Sequence, residues 1–149
     1  RFDIMFGKNN YEILKTTIPQ DDPLNWKDSK SYKDRLKDAR KKTGMECGIM
    51  VVKTKINNIN ITACASDFAF IGGSVGAAEG EAILYGIQHA IENKNPFLNF
   101  TSGGGMRMFE SLIALSQMTR TTLAINELKK NKLPYLVCLT DPTAGGITA

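Results

Sequence analysis

Three clusters of glycine punctuate the chain from its midpoint onward: Gly72-Gly73-Ser74-Val75-Gly76, Gly103-Gly104-Gly105 and Gly145-Gly146. Each follows an apolar or β-branched run, the second coming after Pro96-Phe97-Leu98-Asn99-Phe100 and the third after Tyr135-Leu136-Val137-Cys138-Leu139. Strands that end in glycine and re-enter as helices build layered α/β folds, so this punctuation constrains the fold class most. It also bears on chemistry. Consecutive glycines leave backbone N–H groups unshielded at the positive end of a helix, where they can hold a phosphate or a thioester enolate oxyanion. In open α/β folds ligands sit at such strand ends.

The rest of the pattern agrees with that class. Phe2 to Leu14 reads as a short helix, a turn and a short extended piece. Asp28-Ser29-Lys30-Ser31 can cap a helix through Arg40 with Tyr32, Leu36 and Ala39 on one face, and Gly44 takes the C′ position. Cys47 to Lys55 and Ile59 to Ala65, joined by Asn57-Asn58, read as an antiparallel hairpin. Helices follow over Ala77 to Asn93 and Met106 to Leu128, with strands at Pro96 to Phe100 and Leu133 to Thr140. Residues 1–44 form a helical lead-in and 45–149 the α/β core.

At 149 residues and 42% hydrophobic, the chain has the size of one ordinary domain or part of one. It opens on Arg1 and stops just past a glycine turn, so both ends read as cuts. The apolar runs are too short for a membrane-spanning helix. Three widely spaced cysteines form no Cys-x-x-Cys pair, so neither a disulfide framework nor a metal site is expected. Cys64 and Cys138 read as small buried hydrophobes, and a reducing cytoplasm is the expected setting. Residues 1–44 hold 11 Lys/Arg against 7 Asp/Glu, while residues 45–149 hold 8 of each. The basic excess, chiefly Lys27 to Lys42, reads as a solvated helix face or a patch for a phosphorylated ligand or acidic partner. Beyond Trp26 and Tyr32 no aromatics interleave with it, so nucleic acid is not expected.

Gly72-Gly73-Ser74-Val75-Gly76 matches the Gly-x-Ser-x-Gly elbow of serine hydrolases. That chemistry needs a histidine base, and the only histidine, His89, lies 15 residues on, along the following helix. Asp141 comes after His89, which reverses the order of acid and base in elbow enzymes. Ser74 is therefore not expected to be a nucleophile. No Gly-Lys-Ser/Thr follows either turn, which removes the P-loop. Arg107 reads as a buried organiser pairing with Glu110 or Asp141, or as a ligand-phosphate contact. The glycine turns also admit a plainer reading, close packing of strand on helix.

Longer stretches carry a family resemblance. Asp22-Pro23-Leu24-Asn25-Trp26, Ser31-Tyr32-Lys33-Asp34-Arg35-Leu36 and Lys42-Thr43-Gly44 lead into Asp67-Phe68-Ala69-Phe70-Ile71-Gly72-Gly73-Ser74-Val75-Gly76 and Gly80-Glu81. Ser102-Gly103-Gly104, Arg107-Met108, Ser116-Gln117-Met118 and Pro134-Tyr135 follow, before Leu139-Thr140-Asp141-Pro142-Thr143-Ala144-Gly145-Gly146. In this order and spacing they resemble the carboxyltransferase β subunit of bacterial acetyl-CoA carboxylase. The resemblance implies a crotonase-like (ClpP/crotonase) layered α/β fold, present as a partial domain. It implies carboxyl transfer from carboxybiotin on a biotin carboxyl carrier protein to acetyl-CoA, giving malonyl-CoA for fatty-acid synthesis. A carboxyltransferase α subunit would complete the site. Zinc would belong only to the family's four-cysteine ribbon, which has no counterpart in these residues. The family's Ser-Gly-Gly-Ala-Arg turn is one residue longer here, Ser102 to Arg107.

On this reading the amides near Gly104, Gly105, Gly145 and Gly146 converge on one cavity as the catalytic oxyanion donors, and Gly72, Gly73, Ser102, Gly103 and Arg107 line the substrate. The alternatives are a related biotin-dependent acyl-CoA carboxylase or decarboxylase, and a non-catalytic acyl-CoA-binding or scaffolding chain. The helix over Met106 to Leu128 is apolar around much of its surface, so self-association is expected.

Overall fold

A hairpin seeds the sheet. Ile49–Ile56 (β2) and Ile59–Ser66 (β3) pair antiparallel across Asn57 and Asn58, whose φ angles of 48° and 67° are those of a two-residue hairpin turn. Tyr11–Leu14 (β1) pairs antiparallel with β2, so the segment 1–44 is not wholly helical and gives the sheet an edge. Phe97–Gly103 (β4) and Tyr135–Thr143 (β5) add in parallel on the far side, and the strand order is β1-β2-β3-β4-β5. The computed structural model describes residues 2–148.

Side-chain alternation places cores on both faces of this sheet. Paired Val51 and Cys64 join Ile49, Ala82, Ile87, Ala90, Phe97 and Leu128 under the helices Ala77–Glu92 (α3) and Leu112–Lys130 (α4). The next pair along the ladder, Val52 and Ala63, faces the other way, toward Phe2, Phe6 and Phe100 at the short helix Phe2–Phe6 (α1). Each large apolar side chain so buried contributes about 1.5–3 kcal/mol. The helix Tyr32–Thr43 (α2) is bounded as its residues dictate: Ser31 Oγ accepts from Asp34 N–H, and Gly44 closes the end at φ 71°. Tyr32, Leu36 and Ala39 form a third core with Phe70.

Two expectations need correction. The helix expected from Met106 begins at Leu112. Met106 pairs with Val75 in an isolated parallel bridge, Met108–Glu110 is a 3-10 turn, and Ser111 at φ 50° separates that turn from α4. Cys138 is exposed, as are Leu136, Val137 and Leu139 beside it on β5, one of the two edge strands of the sheet. Cys64 is buried as expected. α4 packs on α3 and leaves Leu112, Leu115 and Leu123 largely uncovered.

Candidate active site

The carboxyl ends of β3, β4 and β5 lie side by side, so the three glycine turns that follow are neighbours. Gly104 N–H donates to the Gly72 carbonyl at 3.1 Å, and Ala144 N–H to the Gly103 carbonyl at 3.0 Å. The first contact is backbone against backbone. A Cβ on Gly73, where φ is 63°, would stand 2.1 Å from the Ser102 carbonyl oxygen, and one on Gly103 would stand 2.2 Å from the Gly73 oxygen. Only glycine fits there. The second and third turns also touch: a Cβ on Gly105 would lie 3.5 Å from Gly146 N, and one on Gly145 would lie 3.1 Å from Gly104 O.

Gly72, Gly73, Ser102, Gly103, Gly104, Gly105, Gly145 and Gly146 thus share one patch, but with unequal exposure. Ser102, Gly103, Gly73 and Gly105 are buried, whereas Gly104 and Gly145 are exposed and Gly146 is half-buried. The Gly104 amide is engaged with Gly72. Among the described residues, the amides of Gly105 and Gly146 have no hydrogen-bond acceptor. Beside the turns a cleft of about 620 Å³ opens, with Val75, Met106, Met118, Tyr135, Gly146 and Ile147 in its lining. Its size suits a small-molecule ligand.

Behind the turns lies a buried ionic cluster. Arg107 is 2% exposed and forms an ion pair with Glu79 at 2.8 Å and a longer one with Glu110 at 3.6 Å. Its Nε donates to Ser74 Oγ at 3.1 Å, its Nη2 to the Ser74 carbonyl at 2.5 Å, and its Nη1 to Tyr32 Oη at 3.1 Å. Asp141, the other partner considered from the sequence, is exposed on β5. Burial opposes the Arg107 charge, but attraction to Glu79 and Tyr32 outweighs it and holds the guanidinium above its ordinary value. Burial also pushes the Tyr32 phenol up, with Glu110 adding to the effect against Arg107.

Among the described residues, no base lies beside the elbow serine. Ser74 Oγ donates to the Ile71 carbonyl at 2.8 Å and accepts from Arg107. The His89 ring pairs through Nδ1 with Thr62 Oγ1 on β3 at 2.9 Å, roughly 18 Å along α3 from its first turn.

Glu79 was missed in the sequence. Its carboxylate accepts from Gly48 N–H at 2.8 Å and Gly76 N–H at 3.0 Å, and it meets Arg107 as well. The signal was the spacing of Glu79 three residues after Gly76, the reciprocal half of a capping box. Tyr32 lies on the apolar face of its helix and in one of the motifs of the resemblance, and neither feature gives it a place in this cluster.

Residues 17–148 match the family described as the carboxyl transferase domain. The chain is 81% identical over all 149 residues to the acetyl-coenzyme A carboxylase carboxyl transferase subunit beta of Pelagibacter ubique, covering 48% of that protein. It is 47% identical to the same subunit of Caulobacter vibrioides, again over the whole chain and 48% of the relative. The chain therefore spans about half the length of the curated relatives it matches. Among solved structures it is similar to transcarboxylase 12S with methylmalonyl-coenzyme A and methylmalonic acid bound, at 26% identity and a TM-score of 0.64, over 68% of this chain and 20% of that one. A Pseudomonas malonate decarboxylase hetero-dimer shares the fold at 23% identity and a TM-score of 0.63, over 70% of this chain and 48% of that one.

Proposed function

The chain belongs to the carboxyl transferase domain family and has its crotonase-type α/β fold; on that premise we propose that it forms part of the carboxyltransferase of an acetyl-CoA carboxylase. The reading is carried by one observation: two glycine turns at the ends of adjacent parallel strands meet beside a cleft, with the Gly105 and Gly146 amides unpaired among the described residues. The 81% identity to an acetyl-coenzyme A carboxylase subunit, against 26% to a transcarboxylase, favours acetyl-CoA over other acyl thioesters.

Carboxybiotin, presented by a biotin carboxyl carrier protein, supplies the CO2 and, at its ureido nitrogen, the base for the α-proton. The task left to this chain is to seat the acetyl thioester and stabilise charge on its oxygen. Two preorganised amides at Gly105 and Gly146 suit that role, because oriented donors gain most where negative charge develops in a site shielded from water. Gly145 shapes the third turn. Gly104, whose amide is bonded to Gly72, holds the second turn against the first. Gly72, Gly73, Ser102 and Gly103, which do not line the cleft, lock the first two turns together behind the donors. A carboxyltransferase α subunit supplies the facing wall, and the reaction takes place in the cytoplasm.

The test is carboxyl transfer by the full-length β chain with its α subunit, followed as acetyl-CoA formed from malonyl-CoA and a free biotin derivative. Transfer by the pair, absent from either chain alone, is the expected result. A pair that binds acyl-CoA without transferring the carboxyl group would favour the scaffolding alternative.

A further inference from the structure

We propose that Tyr32, far from the glycine turns in sequence, is a positioning residue for carboxyl transfer, acting through Glu110 and Arg107 on the Gly105 amide. The proposal rests on the functional reading above and adds to it a residue from the N-terminal segment.

The Gly105 amide belongs to a short stretch pinned at both ends to the first glycine turn. On one side Gly104 N–H is bonded to the Gly72 carbonyl at 3.1 Å; on the other Val75 N–H is bonded to the Gly105 carbonyl at 2.9 Å. Arg107 N–H then donates to the Val75 carbonyl at 2.8 Å. The aim of the Gly105 N–H thus depends on where residues 72–75 stand. Those residues are held from behind by Arg107, which grips both the hydroxyl and the carbonyl of Ser74.

Arg107 is in turn oriented by two carboxylates and a phenol. Glu79 ties it to Gly48 and Gly76. Glu110 accepts from Ala77 N–H at 2.6 Å and from the Tyr32 hydroxyl, which itself accepts from Arg107. Tyr32 is 1% exposed, and its ring packs against Phe109 at 5.3 Å between centroids. The Gly76 backbone leaves the Glu110 carboxylate just enough room, since a Cβ there would stand 2.4 Å from Glu110 Oε1. One buried hydroxyl therefore fixes two charged groups that hold Ser74 and Ala77 from behind the first turn.

A buried ionic cluster is a poor stabiliser, because desolvation offsets much of the attraction and an apolar core of the same shape often does as well. What the cluster supplies is direction. Hydrogen bonds hold Ser74 at one place and angle, and misplacement of a donor by about 1 Å can lower a rate roughly 100-fold.

Tyr32→Phe in the full-length β chain, assembled with its α subunit, removes the hydroxyl and keeps the ring. The expected result is a kcat lowered about 10-fold or more, with KM for malonyl-CoA within about two-fold. Glu110→Gln, which keeps an acceptor for Ala77 N–H, should show the same split and serves if Tyr32→Phe fails to assemble. Unchanged kcat in an assembled variant would overturn the proposal, as would a change confined to KM or to thermal stability. A wild-type pair that transfers no carboxyl group would instead remove the functional reading, and this inference with it.

Discussion

Gly73 and Ser102 touch through their backbones alone: a Cβ on Gly73 would stand 2.1 Å from the Ser102 carbonyl oxygen, at a φ of 63°. Two costs therefore fall on one position, the left-handed conformation and the clash. Gly44 carries only the first, with φ 71° and nothing within 4 Å. Gly44→Ala should cost about 1 kcal/mol, whereas Gly73→Ala should cost about 3 kcal/mol or more. Urea denaturation of the two variants beside the wild type measures the difference directly. Equal costs would mean that the two turns can separate without penalty.

The proposed function makes Gly146 an oxyanion donor. A Cβ there would meet Met106 Cγ at 2.9 Å and the Met118 sulfur at 3.2 Å, so Gly146→Val must shift the turn or the methionines. In the assembled carboxyltransferase this substitution should lower kcat roughly 100-fold, the usual effect of displacing an oxyanion donor. Steady-state kinetics would read it, and a variant within about two-fold of wild type would remove Gly146 from the donor pair.

Ser74 should not react as a nucleophile. Its hydroxyl lies between the Ile71 carbonyl and Arg107, and the chain's histidine is occupied at the far end of α3. A fluorophosphonate probe should leave Ser74 unmodified under conditions that label a serine hydrolase fully. A phosphonylated Ser74 peptide in the mass spectrum would restore the hydrolase reading.

His89 gives the stability a pH dependence. Burial, with Lys53 adding to it, lowers the folded-state pKa from 6.5, so the unfolded chain takes up the proton first as pH falls. The contribution of neutral His89 is complete above pH 6.5 and is lost as pH drops through the lowered folded value. Thermal melts between pH 7 and pH 5 should show a shallower decline for His89→Asn than for wild type. Parallel declines would mean that His89 titrates alike in both states.

Local chemistry was legible in the sequence wherever neighbours along the chain decide it. Gly44 and a cap within Asp28-Ser29-Lys30-Ser31, which the structure narrows to Ser31, bound α2 because capping needs only adjacent residues, and Asn57-Asn58 set the hairpin for the same reason. The resemblance to the carboxyltransferase β subunit, read from motifs in order, is matched by the family and by its relatives. The pair Tyr32 and Glu110 was not legible, since 78 residues separate them and nothing local signals the contact. Arg107 was narrowed to an organiser or a ligand contact, and Glu110, one of the partners then considered, does lie beside it. The break at Ser111 was hidden, because the apolar spacing runs on from Met106 while the backbone is diverted to bring Arg107 and Glu110 inward. Cys138 illustrates another limit. Its strand has a buried-looking composition, but exposure depends on what covers an edge, which strand composition does not encode.

The sheet order β1-β2-β3-β4-β5 equals the order of the strands along the chain. No strand has to be inserted between two already paired. A chain emerging N-terminus first from a ribosome can therefore lay down this sheet one strand at a time, each new strand docking on the one just completed. At every stage one growing edge faces outward, and the crossover helices α3 and α4 arrive just before the strands they precede. The glycine turns assemble in the same order: the first and second can meet once β4 has docked, and the third can close against the second only after β5 is in place.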